Sequence, residues 1–442
     1  MIVICNKKNA LWSLKKTYPN FMKKIICILL LTGCILQLNA QNKTDISSIE
    51  KEAKEYYKTK NYEKATSKYL QLADISYFKR NKSIALYMAA RALASQNKVD
   101  SSFILLDKAI TNGFKYKTHL INDSDLAALH NNPKWETLIN KTTTKSLNDN
   151  PNLAKIITKD VHNFWKAYDL VAKDTSNAYN IYKKNYFDKA SNGMEDYMGL
   201  KVKSIAQFIA HLNAHPKLYQ TIRPNTLKVD EYKDEILQSF RNFKQLYAEA
   251  KFPDVYFVIG AFTSGGTVSP EGLLIGTNQM SDGDGVNTEE VVNKLRINKS
   301  ETLPHVVAHE LIHFQQDGLK NEKITLKYAI QEGMADFIGE LISGKTANEK
   351  IYQWAKGKEK MIWEKFTKDM YKDRYNNWIA NYNTVSADSY PDLGYWIGYQ
   401  ICKSYYENAN NKKQAIYNML HIQDYKQFLA DSKWEKKLDA MK

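Results

Sequence analysis

The sequence predicts an α+β chain that is mainly helical: paired helical hairpins first, then a larger unit in which helices flank short buried strands. Three observations carry this. Apolar residues recur at helical spacing through most of the chain, as in Phe164, Trp165, Tyr168 and Val171. Two short stretches break that pattern, Asp254 to Gly260 and Gly272 to Gly276, each apolar and bounded by Pro or Gly, as buried strands are. The chain has 442 residues, of which 43% are hydrophobic and 25% charged, an ordinary globular composition with length for two or three units.

Residues 1–40 read as an upstream extension and a secretory signal. They hold Lys7, Lys8, Lys15, Lys16, Lys23 and Lys24 and no acid. Met22-Lys23-Lys24 followed by Ile25 to Leu31 has the charged and apolar regions of an export signal, which puts the translational start at Met22. Cleavage after Leu38-Asn39-Ala40 would leave Gln41 first; alternatively Leu31-Thr32-Gly33-Cys34 reads as a lipobox with Cys34 lipidated. Both readings send the chain out of the cytoplasm, to the periplasm or beyond. The apolar run falls short of the roughly 20 residues of a membrane span, so none is expected in the mature chain. Cleavage at Ala40 would leave only Cys402, excluding an intrachain disulfide. The net charge of +15 comes mainly from Lys that alternates with Glu along helical stretches, a solvated surface and not a nucleic-acid face.

Residues 44–145 form the hairpin region. Tyr56, Tyr57, Tyr62, Ala65 and Tyr69 fall at the spacing of a tetratricopeptide repeat, and Ala92, Leu93, Val99, Ser102, Leu106 and Ala109 follow as a second copy. Small residues at Ala65 and Ser102 let paired helices approach. Asp123-Ser124-Asp125-Leu126, Leu129 and Pro133-Lys134-Trp135 resemble the tail that follows such repeats in secreted bacterial proteins. Two repeats are marginal alone, so this region is expected to dock a protein partner or the rest of the chain. Deleting residues 44–145 is expected to spare the site described next.

Asn148-Asp149-Asn150-Pro151-Asn152 reads as a linker. Residues 151–442 then divide into a helical part (151–250), a core (251–345) and a helical C-terminal part (346–442). Ser264-Gly265-Gly266-Thr267 and Ser281 to Gly285 read as loops.

The core holds His309-Glu310-Leu311-Ile312-His313, an H-E-x-x-H motif. Thr302 is placed to cap its helix, Pro304 suits the first turn and Gly318 the end. One turn apart, the two imidazoles can grip one ion while Glu310 addresses a bound water. Glu332, 19 residues after His313 on a second helix read as Tyr328 to Leu341 and stopped by Gly344, is the expected third ligand. Asp336, one turn further, is placed to accept the outer N–H of a ligating histidine. Two imidazoles and one carboxylate suit a single Zn²⁺ with an open fourth position. His305 is expected to lie outside the ligand set.

His309-Glu310-x-x-His313 with Glu332-Gly333-Met334-Ala335-Asp336 resembles the gluzincin metallopeptidases. Residues from about 155 to 442 resemble a bacterial family of zinc-dependent proteases whose substrates are undefined, through Ser264 to Thr267, Gly272 to Gly276 and Leu393 to Tyr399. The resemblance implies a gluzincin-like fold, with a small mixed β-sheet and zinc-bearing helices, and a secreted metallopeptidase acting on a peptide or protein. In such an enzyme zinc lowers the pKa of its water toward 7 and Glu310 takes the proton. A hydroxyl after the third ligand would hold the oxyanion, and Tyr395 and Tyr399 are the candidates. A second class stays open: a repeat-bearing binding or surface-assembly protein whose metal site is structural or vestigial.

Overall fold

The computed structural model describes residues 46–440 except 143–146, 292–295, 320 and 383–388. The export segment, with Met22, Cys34 and Ala40, lies outside the described residues. Among those described, no helix is long and apolar enough to cross a membrane.

Four helices open the described chain: α1 (Ile46–Lys58), α2 (Tyr62–Ile75), α3 (Lys79–Ala94) and α4 (Val99–Thr111), each packed on the next. Asn61 caps α2 by accepting the Lys64 N–H. Ala65 and Ser102 are fully buried, and the Ser102 hydroxyl donates to Ala90 O at 2.8 Å, so small side chains stand where helices meet. Leu126 and Leu129 from the tail close this core, while Asp123 accepts the Tyr87 hydroxyl and pairs with Arg91.

This core is distinct from a larger one running from Ala154 to Leu438, with one exception. Phe78, at the start of α3, is buried in the larger core, 5.8 Å from the ring of Phe187. Around it the Tyr77 hydroxyl donates to Asp188 at 2.6 Å, Glu195 accepts the Lys79 N–H, and Lys203 pairs with Glu50 at 2.7 Å. Lys115 pairs with Glu271. The repeats thus dock on the rest of their own chain. Removing residues 44–145 would strip Phe78, a buried aromatic, from the larger core.

The linker is likewise tied down: Phe252 N–H donates to Asn148 O at 2.6 Å and Pro151 is buried. Strand β1 (Ile156–Ile157) follows, then α5 (Lys159–Lys173), α6 (Asn192–Lys201), α7 (Ile205–Ala214) and α8 (Lys233–Leu246). The remaining strands of the main sheet are β2 (Asp254–Val258), β3 (Gly266–Ser269) and β4 (Gly272–Gly276), in the order β1-β2-β4-β3. β2 runs parallel to β1 and β4, with Val255 opposite both Ile156 and Leu273. β3 returns antiparallel on β4, Thr267 opposite Leu274. The stretch read as a turn at Ser264 to Thr267 therefore enters an edge strand. Its β-branched Thr267 and Val268 pair with β4, and the chain reverses instead at Pro270-Glu271. β5 (Met280–Asp282) and β6 (Asn298–Lys299) form a second, parallel pair, and β5 takes the first two residues of the stretch read as a loop at Ser281 to Gly285.

Helices α9 (Leu303–Gln315) and α10 (Thr325–Ser343) pack on each other, and α9 also lies on β3 and β4. The Thr302 hydroxyl bonds Lys299 O instead of capping α9, and Gly318 is glycine because a Cβ would press on Ile422 O. Gly344, at φ 87°, ends α10 in the left-handed region glycine favours. After α11 (Glu349–Ala355), α12 (Leu393–Asn408) crosses α10 backbone to backbone: a Cβ on Gly398 would overlap Ala329 O. Gly398→Ala is expected to force the helices apart at a cost of about 1–3 kcal/mol. A thermal midpoint equal to that of the parent protein would contradict that close crossing.

Candidate metal centre

Helices α9 and α10 bring His309, His313 and Glu332 together. His313 Nε2 lies 2.9 Å from His309 Nε2 and 3.1 Å from Glu332 Oε2, and His309 Nε2 lies 3.4 Å from the same oxygen. Three ligands around a tetrahedral zinc at roughly 2.0–2.1 Å would stand about 3.3 Å apart. The outer ring nitrogens show what the inner ones can do. His309 Nδ1 sits 2.7 Å from Asp336 Oδ1, an acceptor, so it donates. His313 Nδ1 sits 3.1 Å from Gln316 Oε1, and the Gln316 amide is oriented by donating through Nε2 to Gln331 O at 2.7 Å. A neutral imidazole that donates from Nδ1 presents a lone pair at Nε2. Two such lone pairs and a carboxylate oxygen therefore face one point, a set of groups that could hold a metal ion.

Without a cation, protons take that role. Burial works against charge on both imidazoles, but Asp336 and Glu332 raise His309 well above its ordinary pKa, and Glu332 raises His313. Burial works to raise Glu332, and the two histidines override it and hold the carboxyl well below the usual range. Asp336 is fully satisfied: besides His309 it accepts two bonds from the Asn348 amide and one from the Tyr352 hydroxyl, all at 2.9 Å.

Glu310 stands outside the ligand trio, on a cleft of about 790 Å³. Burial raises its carboxyl, opposed by His313, His309 and Lys201. Gly266 of β3 lies so close that a Cβ there would overlap the Glu310 carboxylate. Tyr395 lines the same cleft with its ring stacked on His309, centroids 5.9 Å apart. Tyr399 does not reach it: its hydroxyl donates to Glu340 at 2.7 Å, which corrects its candidacy beside the trio. His305 points elsewhere, its Nδ1 2.9 Å from Ser343 Oγ.

The structure thus gathers His309, Glu310, His313, Glu332, Asp336 and Tyr395. Sequence reasoning missed Gln316, Asn348, Tyr352, Lys201, Gln279 and Arg296. Gln316 lies three residues after His313, and Asn348 and Tyr352 lie one helical turn apart, so spacing offered a faint sign of these three. The others reach the cleft from α6 and from the segments around β5 and β6, which no local spacing reveals.

A profile of the family described as "Gliding motility protein GldB" matches residues 145–436, more than half of the chain and all of the metal centre. No curated protein and no solved structure matches. The match overturns the gluzincin and zinc-protease resemblance, and with it the reading of a secreted metallopeptidase that hydrolyses peptides. An H-E-x-x-H helix fixes where ligands stand, not what the protein does with them. The chain belongs to the gliding motility protein GldB family.

Proposed function

We propose that this chain is an exported assembly component of a gliding-motility apparatus, in which a divalent metal, zinc by its ligand set, pins α9 to α10. The family match over residues 145–436 carries the motility reading. The convergence of two imidazole lone pairs and the Glu332 carboxylate supports the metal, and two histidines with one carboxylate suit zinc better than magnesium or calcium. The ion supplies the positive charge on which the three converging acceptors close. With three protein ligands, zinc would keep a fourth position for an oxygen ligand. The repeats, docked through Phe78, present the surface for protein partners.

Complementation tests this. In cells lacking their own copy, the His309→Ala and His313→Ala variants are expected to fail to restore gliding. Glu310→Gln, which removes no ligand, is expected to restore it. A Glu310→Gln variant as defective as His313→Ala, with its metal retained, would overturn the structural role.

A further inference from the structure

Beside the metal ligands the cleft continues into a side chamber of about 80 Å³, with Gln279, Arg296, Asn348 and Asp392 on the walls of both. At roughly 30 Å³ per water, it has room for two or three waters or one carboxylate-sized group.

Its described walls carry the donors of Gln279, Arg296 and Lys350. Gln279 is 7% exposed, and its Nε2 is a buried donor without a hydrogen-bond partner among the described residues, a group that folded proteins rarely leave unsatisfied. Arg296 bonds Phe262 O at 2.6 Å through one terminal nitrogen, and its guanidinium lies over the Tyr382 ring at 5.6 Å. Those contacts hold the fork in place and leave donors over for a planar acceptor. Lys350 adds a second positive charge to the wall, its ammonium 3.4 Å from Ile297 O. Asp392 is the opposing charge, and it is engaged: it accepts the Ala380 N–H at 2.6 Å and the Tyr382 hydroxyl.

We propose that this chamber binds the carboxylate of an organic ligand, with Arg296 and Gln279 as its donors and the body of the ligand in the cleft toward the metal ligands. It rests on the proposed metal centre, whose fourth position is left for an oxygen ligand. A carboxylate fits because it is planar, accepts from two donors at once and is negative where Arg296 and Lys350 outnumber Asp392 among the described wall residues.

Calorimetric titration of the zinc-loaded full chain with succinate and with glucuronate tests it, and separates an aliphatic acid from a sugar acid. At least one acid is expected to bind at millimolar concentration, and succinamide, the neutral counterpart of succinate, much more weakly. Arg296→Gln should weaken the acid roughly 10- to 100-fold, the loss of one charged hydrogen bond, with zinc content unchanged. Gln279→Glu, which puts a carboxylate into the chamber, should abolish binding. Binding of neither acid, equal binding of succinamide, or an Arg296→Gln variant that binds like the parent protein would overturn the proposal. Repeating the titration on chelator-stripped protein keeps the two readings apart. A chain that never holds zinc refutes the metal, while the contrast between parent and Arg296→Gln still judges the chamber.

Discussion

His313→Ala is expected to empty the metal centre. It removes one of three ligands and leaves His309 and Glu332 facing each other across a gap. Asp336→Asn, which only replaces the acceptor behind His309, should weaken metal binding roughly 10- to 100-fold; His313→Ala should weaken it by more. Glu310→Gln should retain one zinc per chain. Metal analysis after exhaustive dialysis reads all three. A second readout is pH. In the metal-free protein the folded-state pKa values of His309 and His313 are raised, so their protonation stabilises the fold fully below the unfolded histidine value of about 6.5. That contribution is lost as pH rises through the folded values. Glu332 is depressed and stays ionised throughout this window. Zinc must displace the imidazole protons, so its affinity rises as they leave. The difference in melting temperature between zinc-loaded and stripped protein should therefore grow from pH 6 to pH 8. A constant difference, or a His313→Ala protein that keeps stoichiometric zinc, would refute the assigned ligand set.

The part of this centre legible in the sequence is the part set by helical spacing. His309 and His313 share a face because they are four residues apart, and Glu332 with Asp336 repeats that spacing on the next helix. The C-terminal end of α10 is readable from Gly344, while its start at Thr325 lies one turn before the Tyr328 read from the sequence. What could not be read depends on chain closure over long separations. Arg296 and Gln279 meet the cleft through the β5–β6 pair, whose strands are two and three residues long and leave no periodic trace. β3 was hidden by its glycines, which read as a turn when one of them is there to clear Glu310. Tyr395 and Tyr399 are equivalent by spacing, and only the position of Glu340 separates them. Function was the least legible of all. The motif describes a ligand geometry, and the same geometry serves a brace between helices as readily as a hydrolytic centre.

Phe78→Ala is expected to destabilise the larger unit by about 3–5 kcal/mol, the cost of deleting a buried aromatic and leaving its cavity. Phe78 is 1% exposed and stands in the larger core although its helix belongs to the repeats. Were the repeats an independent module, its loss would melt residues 46–142 alone and leave zinc release at its original temperature. With Phe78 against Phe187, the cavity opens in the core that also positions α9 and α10, so zinc release should move down together with the main thermal transition. Phe78→Leu, which keeps most of the volume, should cost less than about 1.5 kcal/mol and shift both transitions little. An unchanged zinc-release temperature in Phe78→Ala would mean that the repeats lean on the metal-bearing unit without supporting it. The paired contacts of Lys203 with Glu50 and of Tyr77 with Asp188 would then be surface bonds of little energetic weight.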